Sequence, residues 1–163
     1  MVLQLNSNAV LAIDKLLLVK GGQSTSFLTD SREARIQLIR GSLYSITAET
    51  FVPTDLLITT PAGEVTTSQK SSVYVRAAPE GVRLLNYQGQ VNFRARARSS
   101  ADTLPAGKFA DWASNTGALI SEFRAVDGDS DAFERSKEAV AVESKVMNLL
   151  RKPINVGFDR QTP

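Results

Sequence analysis

The chain has 163 residues, with 42% hydrophobic and 22% charged side chains, and a net charge of +2. This length and composition are typical of a globular protein with one domain, and the small net charge predicts no nucleic-acid partner. There is no Cys, which excludes disulfides, thiolate metal sites and cysteine nucleophiles. There is no His either, so the most common general acid–base and metal-ligating side chain is missing.

Residues 1–14 are predicted to form an N-terminal strand or arm. The most apolar run, AVLAIDKLLLV at 9–19, is interrupted by Asp14 and Lys15 and is too short to cross a bilayer. It also makes a poor signal peptide, because no basic residue precedes it and no small-residue cleavage site follows it. We expect this arm either at the edge of its own domain or exchanged with a neighbouring subunit.

Residues 9–112 contain short runs rich in Val, Ile, Leu, Thr and Tyr, which favour strands over helices. Turn signals such as Arg40-Gly41 and Pro61-Ala62-Gly63 interrupt these runs every eight to twelve residues. Many short strands at even spacing predict a sandwich, a barrel or a β-solenoid. The predicted strands are 10–13, 15–20, 24–28, 34–40, 42–47, 55–60, 64–67, 72–77, 82–87, 90–98 and 108–112.

The clearest alternation of apolar and polar residues runs from 91 to 98. Val91, Phe93, Ala95 and Ala97 are predicted to face the core, and the polar set to face water. That polar set includes three arginines suited to an anionic partner, with Arg76 and Arg83 on strands expected nearby, and Tyr74, Tyr87 or Trp112 as stacking platforms for a sugar. The alternative is a solvated strand face that discourages edge-to-edge aggregation. The candidate anion-binding or partner-binding residues are Arg94, Arg96 and Arg98.

Residues 113–163 are predicted to form a loop, a helix at about 131–151 and a tail. Asp131 and Glu134 have the spacing of a capping box, and Pro153 ends the helix. An apolar stripe at helical spacing either packs on the β domain of its own chain or contacts another subunit. The candidate inter-subunit residues on this stripe are Phe133, Val142, Val146, Leu149 and Leu150.

No motif in the chain predicts catalysis or a cofactor. Asp127, Asp129, Asp131 and Glu138 have the spacing of a calcium-binding EF-hand loop, but Ala132 occupies the position of the required glycine. An acidic loop at a helix N-terminus explains the same residues. Phosphate-binding glycine loops and nucleophile-elbow motifs are absent from the sequence. We therefore expect no enzyme, no cofactor and no metal, with a carboxylate-based glycan hydrolase or lyase as the remaining enzymatic alternative.

Four stretches in the middle of the chain resemble the FecR domain family. They occur in the family's order between residues 15 and 112: IQLIRGSLYSI at 36–46, LLITTPAGEVTTSQKSSVYVR at 56–76, GVRLLNYQGQVNFRA at 81–95 and LPAGKFADW at 104–112. The resemblance implies an all-β domain, similar to a short β-solenoid or twisted β-sandwich, on the extracytoplasmic side of a bacterial envelope. Such domains act through protein–protein contacts, and the family has no catalytic residues to transfer.

The sequence thus predicts an all-β, FecR-like domain at 15–112 with one C-terminal helix. The sequence lacks the sigma-binding helical domain, membrane helix and second receptor-binding domain of the signalling members, so signal relay is not expected. The predicted function is a non-catalytic interaction or structural module of the periplasm or cell surface, self-assembling into an oligomer or filament through its termini. The alternative is a module that binds a surface glycan or polyanion through its arginine-lined strand face.

Overall fold

The structure is a computed structural model. It describes residues 1–6, 8–18, 32–47, 54–68, 70–116, 118–120 and 124–125, together with 134–135, 137–138, 140–142, 144–145 and 148 near the C-terminus. The described residues between 134 and 148 are helical, inside the helix that the sequence predicts. Within the described parts of the chain, no helix is long and apolar enough to cross a membrane.

In the described part of the chain, eleven strands form one sheet, so the predicted all-β class is confirmed. Most neighbouring strands are antiparallel, and β3 and β4 form a parallel pair. The strands are β1 (Val2–Leu5), β2 (Val10–Leu18), β3 (Arg32–Thr47), β4 (Thr54–Thr59), β5 (Gly63–Thr67), β6 (Ser71–Ala77), β7 (Gly81–Gln88), β8 (Val91–Ala95), β9 (Asp102–Leu104), β10 (Lys108–Ala113) and β11 (Arg124–Ala125).

The strand β3 belongs to both halves of this sheet. Its second half pairs with β1 and β6 in layer A, which continues through β7 and β10 to β11. Its first half pairs with β2 and β4 in layer B, which continues through β5 and β8 to β9. The two layers share one core between them, as in a twisted sandwich. β1 and β2 lie along the same side of β3, where β1 is the edge of layer A and β2 is the edge of layer B.

Gly41 lies where β3 passes from one layer to the other, so the prediction of a strand-ending turn at Arg40-Gly41 was wrong. Its φ of +89° is one that residues with a side chain rarely adopt. A Cβ at this position would lie 2.5 Å from the Cα of Ala9, in the segment that joins β1 to β2. Glycine is therefore needed here for a close backbone approach at a corner, and the strand continues through it.

The main core lies between the two layers. Phe93 of layer B and Trp112 of layer A are both fully buried, and their ring centroids are 4.3 Å apart. Their neighbours are mainly aliphatic side chains that alternate with outward-facing residues along each strand. The largest of these, all fully buried, are Ile36, Leu38, Leu56, Ile58, Val65 and Leu104 from layer B, and Leu43 and Leu84 from layer A.

A second apolar cluster lies on the outer face of layer A, where the C-terminal helix covers it. Tyr44, Tyr74, Leu85 and Phe109 project from four adjacent strands and are almost completely buried. Val142 of the helix packs against them and is 5% exposed. Under the helix, layer A is therefore buried on both faces, which explains why SLYSIT at 42–47 is buried at every position instead of alternating.

Other sequence predictions differ from the structure in detail. The predicted strands at 10–13 and 15–20 are one strand, β2, with an irregular register between Ile13 and Lys15. The strand predicted to reach 98 ends at Ala95, so Ala97 lies in an exposed turn and does not face the core. The prediction of a strand at 24–28 falls outside the described residues.

Candidate binding surfaces

Exposed apolar side chains are concentrated at the edge formed by β1 and β2. We call this surface the apolar edge and define it by Leu5, Val10, Ile13, Leu16, Leu17 and the neighbouring Ile39 of β3. Ile13 and Leu16 are 60% and 63% exposed, and the other four are 36% to 48% exposed. Single exposed hydrophobic residues need no explanation, but six of them along one edge are typical of a contact surface.

The backbone of the apolar edge is also suited to contact. Among the described residues, β2 pairs only with β3, so its other side presents unpaired N–H and C=O groups. The irregularity between Ile13 and Lys15 interrupts the edge, and Lys15 turns to Glu33 of β3, with 2.6 Å between Nζ and Oε2. The sequence predicts an edge or exchanged position for residues 1–14, but it does not identify these apolar side chains as contacts. The indication of a contact surface in the sequence was the run AVLAIDKLLLV at 9–19, which has more apolar residues than a solvent-exposed edge strand needs.

The structure places Arg94, Arg96 and Arg98 around one cleft, although not by the strand alternation that the sequence suggested. Only Arg94 lies on β8. Arg96 and Arg98 follow in a turn, where the N–H of Arg98 donates to the carbonyl of Ala95 at 3.0 Å. The cleft has a volume of about 280 Å³ and is lined by these three side chains and by Thr59, Thr60, Gly63, Glu64 and Ala95.

Glycine and threonine shape the floor of this arginine cleft. A Cβ at Gly63 would lie 2.2 Å from the carbonyl oxygen of Arg94, so β5 and β8 approach more closely than a side chain would permit. The Thr60 hydroxyl donates to the carbonyl of Gly63 at 2.7 Å and closes the Pro61-Ala62-Gly63 turn. The N–H of Arg96 donates to the carbonyl of Ala62 at 2.9 Å, which fixes the backbone at the cleft mouth.

The three arginines differ in their ionic partners. Arg94 forms an ion pair with Glu64 on the neighbouring strand. Arg98 lies 3.8 Å from a carboxylate oxygen of Asp102, which is too long for a hydrogen bond. For the guanidinium of Arg96, no hydrogen bond or ion pair is found within the described part of the chain, and the side chain is exposed.

Arg76 and Arg83 do not join this cleft. They are paired across β6 and β7 on the outer face of layer A, where they line a separate cleft of about 240 Å³ with Asp111 and Ile120. Arg83 forms an ion pair with Asp111, with 2.7 Å between Nε and Oδ1. Of the three suggested stacking platforms, Tyr74 and Trp112 are 2% and 0% exposed and cannot stack on a ligand, while Tyr87 is partly buried beside the second apolar cluster.

The helix is fixed to layer A by one polar contact as well as by Val142. The Tyr44 hydroxyl lies 2.9 Å from Oε2 of Glu138 and 3.1 Å from the carbonyl oxygen of Arg135. Burial and the hydrogen bond to Glu138 raise the pKa of Tyr44, so the phenol stays neutral. The Arg135 guanidinium lowers the pKa of Glu138, and the Tyr44 hydrogen bond adds to this effect.

Two sets of predicted residues are only partly described. Of the helical stripe, Val142 is buried against its own chain, while Phe133, Val146, Leu149 and Leu150 fall among residues about which the structure says nothing. Their inter-subunit role stays a prediction. The acidic EF-hand spacing lies outside the described residues except for Glu138, which contacts Tyr44 and Arg135. In the described ranges, no group of three acidic side chains is close enough to hold a metal ion.

Comparisons with known proteins give a likeness of fold. No family model matches the chain, and no curated protein matches it. A crystal structure described as a "putative anti-sigma factor" from Parabacteroides distasonis matches with a TM-score of 0.51 and 15% identity, over 76% of this chain and 51% of that chain. A second crystal structure of the same description gives a TM-score of 0.49, with the same identity and coverage. The chain thus spans about half the length of the structures it matches, and at this identity the likeness is one of fold alone.

Proposed function

We propose that this chain is a non-catalytic, FecR-like protein-interaction module that associates with a second copy of itself through the apolar edge. The observation that carries the proposal is the concentration of exposed apolar side chains on the edge formed by β1 and β2. The matched Parabacteroides structure, described as an anti-sigma factor, supports a role in binding proteins. The same likeness and the FecR-like motifs support an extracytoplasmic location in a bacterial envelope.

A second copy is the occupant that the edge suits best. Two β2 strands related by a two-fold axis pair antiparallel, so the same apolar patch covers itself. Asp14 and Lys15 give the middle of β2 no net charge, so two copies approach without repulsion. Pairing would also satisfy the free backbone groups of β2, as in β-strand addition.

Sedimentation velocity over a range of concentrations tests this proposal. We expect the wild-type chain to form dimers or larger oligomers and the double variant Ile13→Lys, Leu16→Lys to stay monomeric, because a charge on each strand opposes pairing. Circular dichroism of the variant should remain that of a β protein, since both side chains are more than half exposed.

The matched control is Ile120→Lys, Val140→Lys, which changes two residues of similar exposure, 63% and 66%, away from the edge. This variant should associate like the wild type. A wild-type chain that is monomeric at every concentration would overturn the proposal, as would equal loss of association in both variants.

A further inference from the structure

We infer that the arginine cleft binds a single carboxylate carried by an extended acidic peptide, and that Arg96 is its principal ligand. The site is on the outer face of layer B and does not depend on the association through the apolar edge. The charges in and around the cleft support this assignment. Glu64 pairs with Arg94 and Asp102 lies near Arg98, which leaves one guanidinium, that of Arg96, with no carboxylate among the described residues.

The protein's own contacts show which group fits beside these arginines. Glu64 reaches Arg94 from the adjacent strand with its carboxylate at the cleft wall. A guanidinium and a carboxylate match in shape, because two parallel N–H donors face two oxygen acceptors. A second carboxylate entering at Arg96 would repeat this pairing two residues further along the chain, with further N–H donors on Arg98 in reach.

The number of charges favours a carboxylate over a phosphate or a polyanion. One unmatched guanidinium neutralises one negative charge, whereas a phosphate monoester carries about 1.5 to 2. Glu64 also faces the cleft, and an adjoining groove of about 520 Å³ contains Glu33, Asp55 and Arg35. The carboxylates that line this groove outnumber its arginines, which disfavours a ligand with several negative charges along its length.

The shape of the surface favours an extended peptide. The cleft and the adjoining groove share Glu64 and Arg94, so they lie next to each other along layer B. The adjoining groove also contains apolar surface from Leu57 and a hydroxyl from Thr66. An extended chain with one acidic residue and neutral or apolar neighbours matches this arrangement of charges and apolar contacts.

The probe for this site copies the protein's own arginine partner. Residues 63–66 read GEVT and present Glu64 to Arg94. We would titrate the ¹⁵N-labelled full chain with the blocked peptide acetyl-GEVT-amide and follow the backbone amides of Arg96 and Arg98. We expect saturable shifts at the residues that line the cleft, with a Kd in the millimolar range, and no shifts with acetyl-GQVT-amide, which lacks the charge.

Three exposed or half-buried side chains provide the variants. Arg96→Gln should weaken binding about tenfold, as expected for loss of one charge-assisted hydrogen-bonded pair. Glu64→Gln should strengthen it several-fold, because it releases Arg94 and removes a repelling charge. Arg76→Gln, an arginine on the outer face of layer A, should leave the affinity unchanged.

Four other outcomes would each overturn a part of this assignment. Equal affinity in the wild type and Arg96→Gln would overturn the assignment of Arg96, and binding of the neutral peptide would overturn the role of the carboxylate. Inorganic phosphate or heparin bound more tightly than acetyl-GEVT-amide would assign the cleft to those anions instead. Glucuronate bound more tightly than the peptide would overturn the peptide as ligand in favour of an acidic sugar.

Discussion

The two outer faces of the sandwich are built from the same kind of strand, yet the part of layer A that lies under the helix is buried and the outer face of layer B is exposed to solvent. On layer A, Tyr44, Tyr74, Leu85 and Phe109 are buried under the C-terminal helix. On layer B, the corresponding positions carry charged and hydroxyl side chains, such as the pairs of Glu64 with Arg94 and of Thr103 with Asn92. The difference is set by the element that packs on each face, because the strand backbone accommodates both.

Side chains of layer A that lie under the helix are structural, whereas side chains on the open face of layer B are available for binding. The covered face contributes apolar burial and one buried polar anchor, and its side chains have little contact with solvent. The open face contributes little to stability, since exposed ion pairs are worth about 0 to 1 kcal/mol each. Its side chains therefore tolerate change, and two of its clefts are accessible to a ligand.

The largest expected effect comes from removing one leucine from each face. Leu85→Ala should lower the free energy of unfolding by about 2–5 kcal/mol, because it leaves a cavity under the helix. Leu57→Ala, on a half-buried outward position of β4, should cost about 1 kcal/mol. Urea denaturation of the two variants measures both values. Equal losses would show that the open face is covered in solution as well.

A smaller effect is expected from removing one hydroxyl from each face. Tyr44→Phe deletes the donor to Glu138 and Arg135 and should cost about 1 kcal/mol. Thr103→Val deletes an exposed hydrogen bond to Asn92 and should change stability by less than about 0.5 kcal/mol. Amide hydrogen exchange gives a more local readout: Tyr44→Phe should speed exchange in the helix, and Thr103→Val should not.

The smallest effect is the response to acid. The pKa of Glu138 is lowered in the folded chain, so its contribution to stability is present above its unfolded pKa and is lost as pH falls through the folded value. Acidification through that window should therefore lower the protection factors of the helix amides, which compare each exchange rate with the intrinsic rate at the same pH. Glu138→Gln should remove this pH dependence of the helix. If the variant and the wild type respond alike, another group controls the helix.

The carboxylate of Glu33 in layer B can be compared with that of Glu138. Its pKa is also lowered, by hydrogen bonds from Lys15 and Arg35, and its contribution is lost in the same direction. Because these groups lie on the open face, their acid response should be confined to β2 and the start of β3. Acid should thus increase local opening both in the helix and at β2 with the start of β3. Glu138→Gln should suppress only the opening of the helix.

Much of the fold could be predicted from local sequence. Strands β4 to β7 and β10 fall within about one residue of their predicted bounds, because polar turns punctuate runs of β-forming residues there. The continuity of β3 could not be predicted in this way. Gly41 has the local signature of a turn, and only the approach of Ala9 from a distant part of the chain explains why glycine lies inside a strand.

The binding surfaces were predicted less well than the strands. The sequence identified Arg94, Arg96 and Arg98 as a group, and the structure brings them to one cleft. Which of them has an ionic partner could not be predicted, because Glu64 and Asp102 come from other strands. Residues 1–14 were predicted as an edge strand or an exchanged arm, but the exposure of Ile13 and Leu16 was not predicted, because it depends on which strands flank β2. Periodicity reports which residues share a face, and it does not report whether that face is covered.

The passage of β3 through both layers has a consequence for how the protein unfolds. A sandwich whose sheets are joined only by loops can lose one sheet while the other persists. Here one continuous strand contributes its first half to the hydrogen bonds of layer B and its second half to those of layer A, so neither layer can separate without disturbing the other. We therefore expect a single cooperative transition, in which a probe in either layer reports the same midpoint.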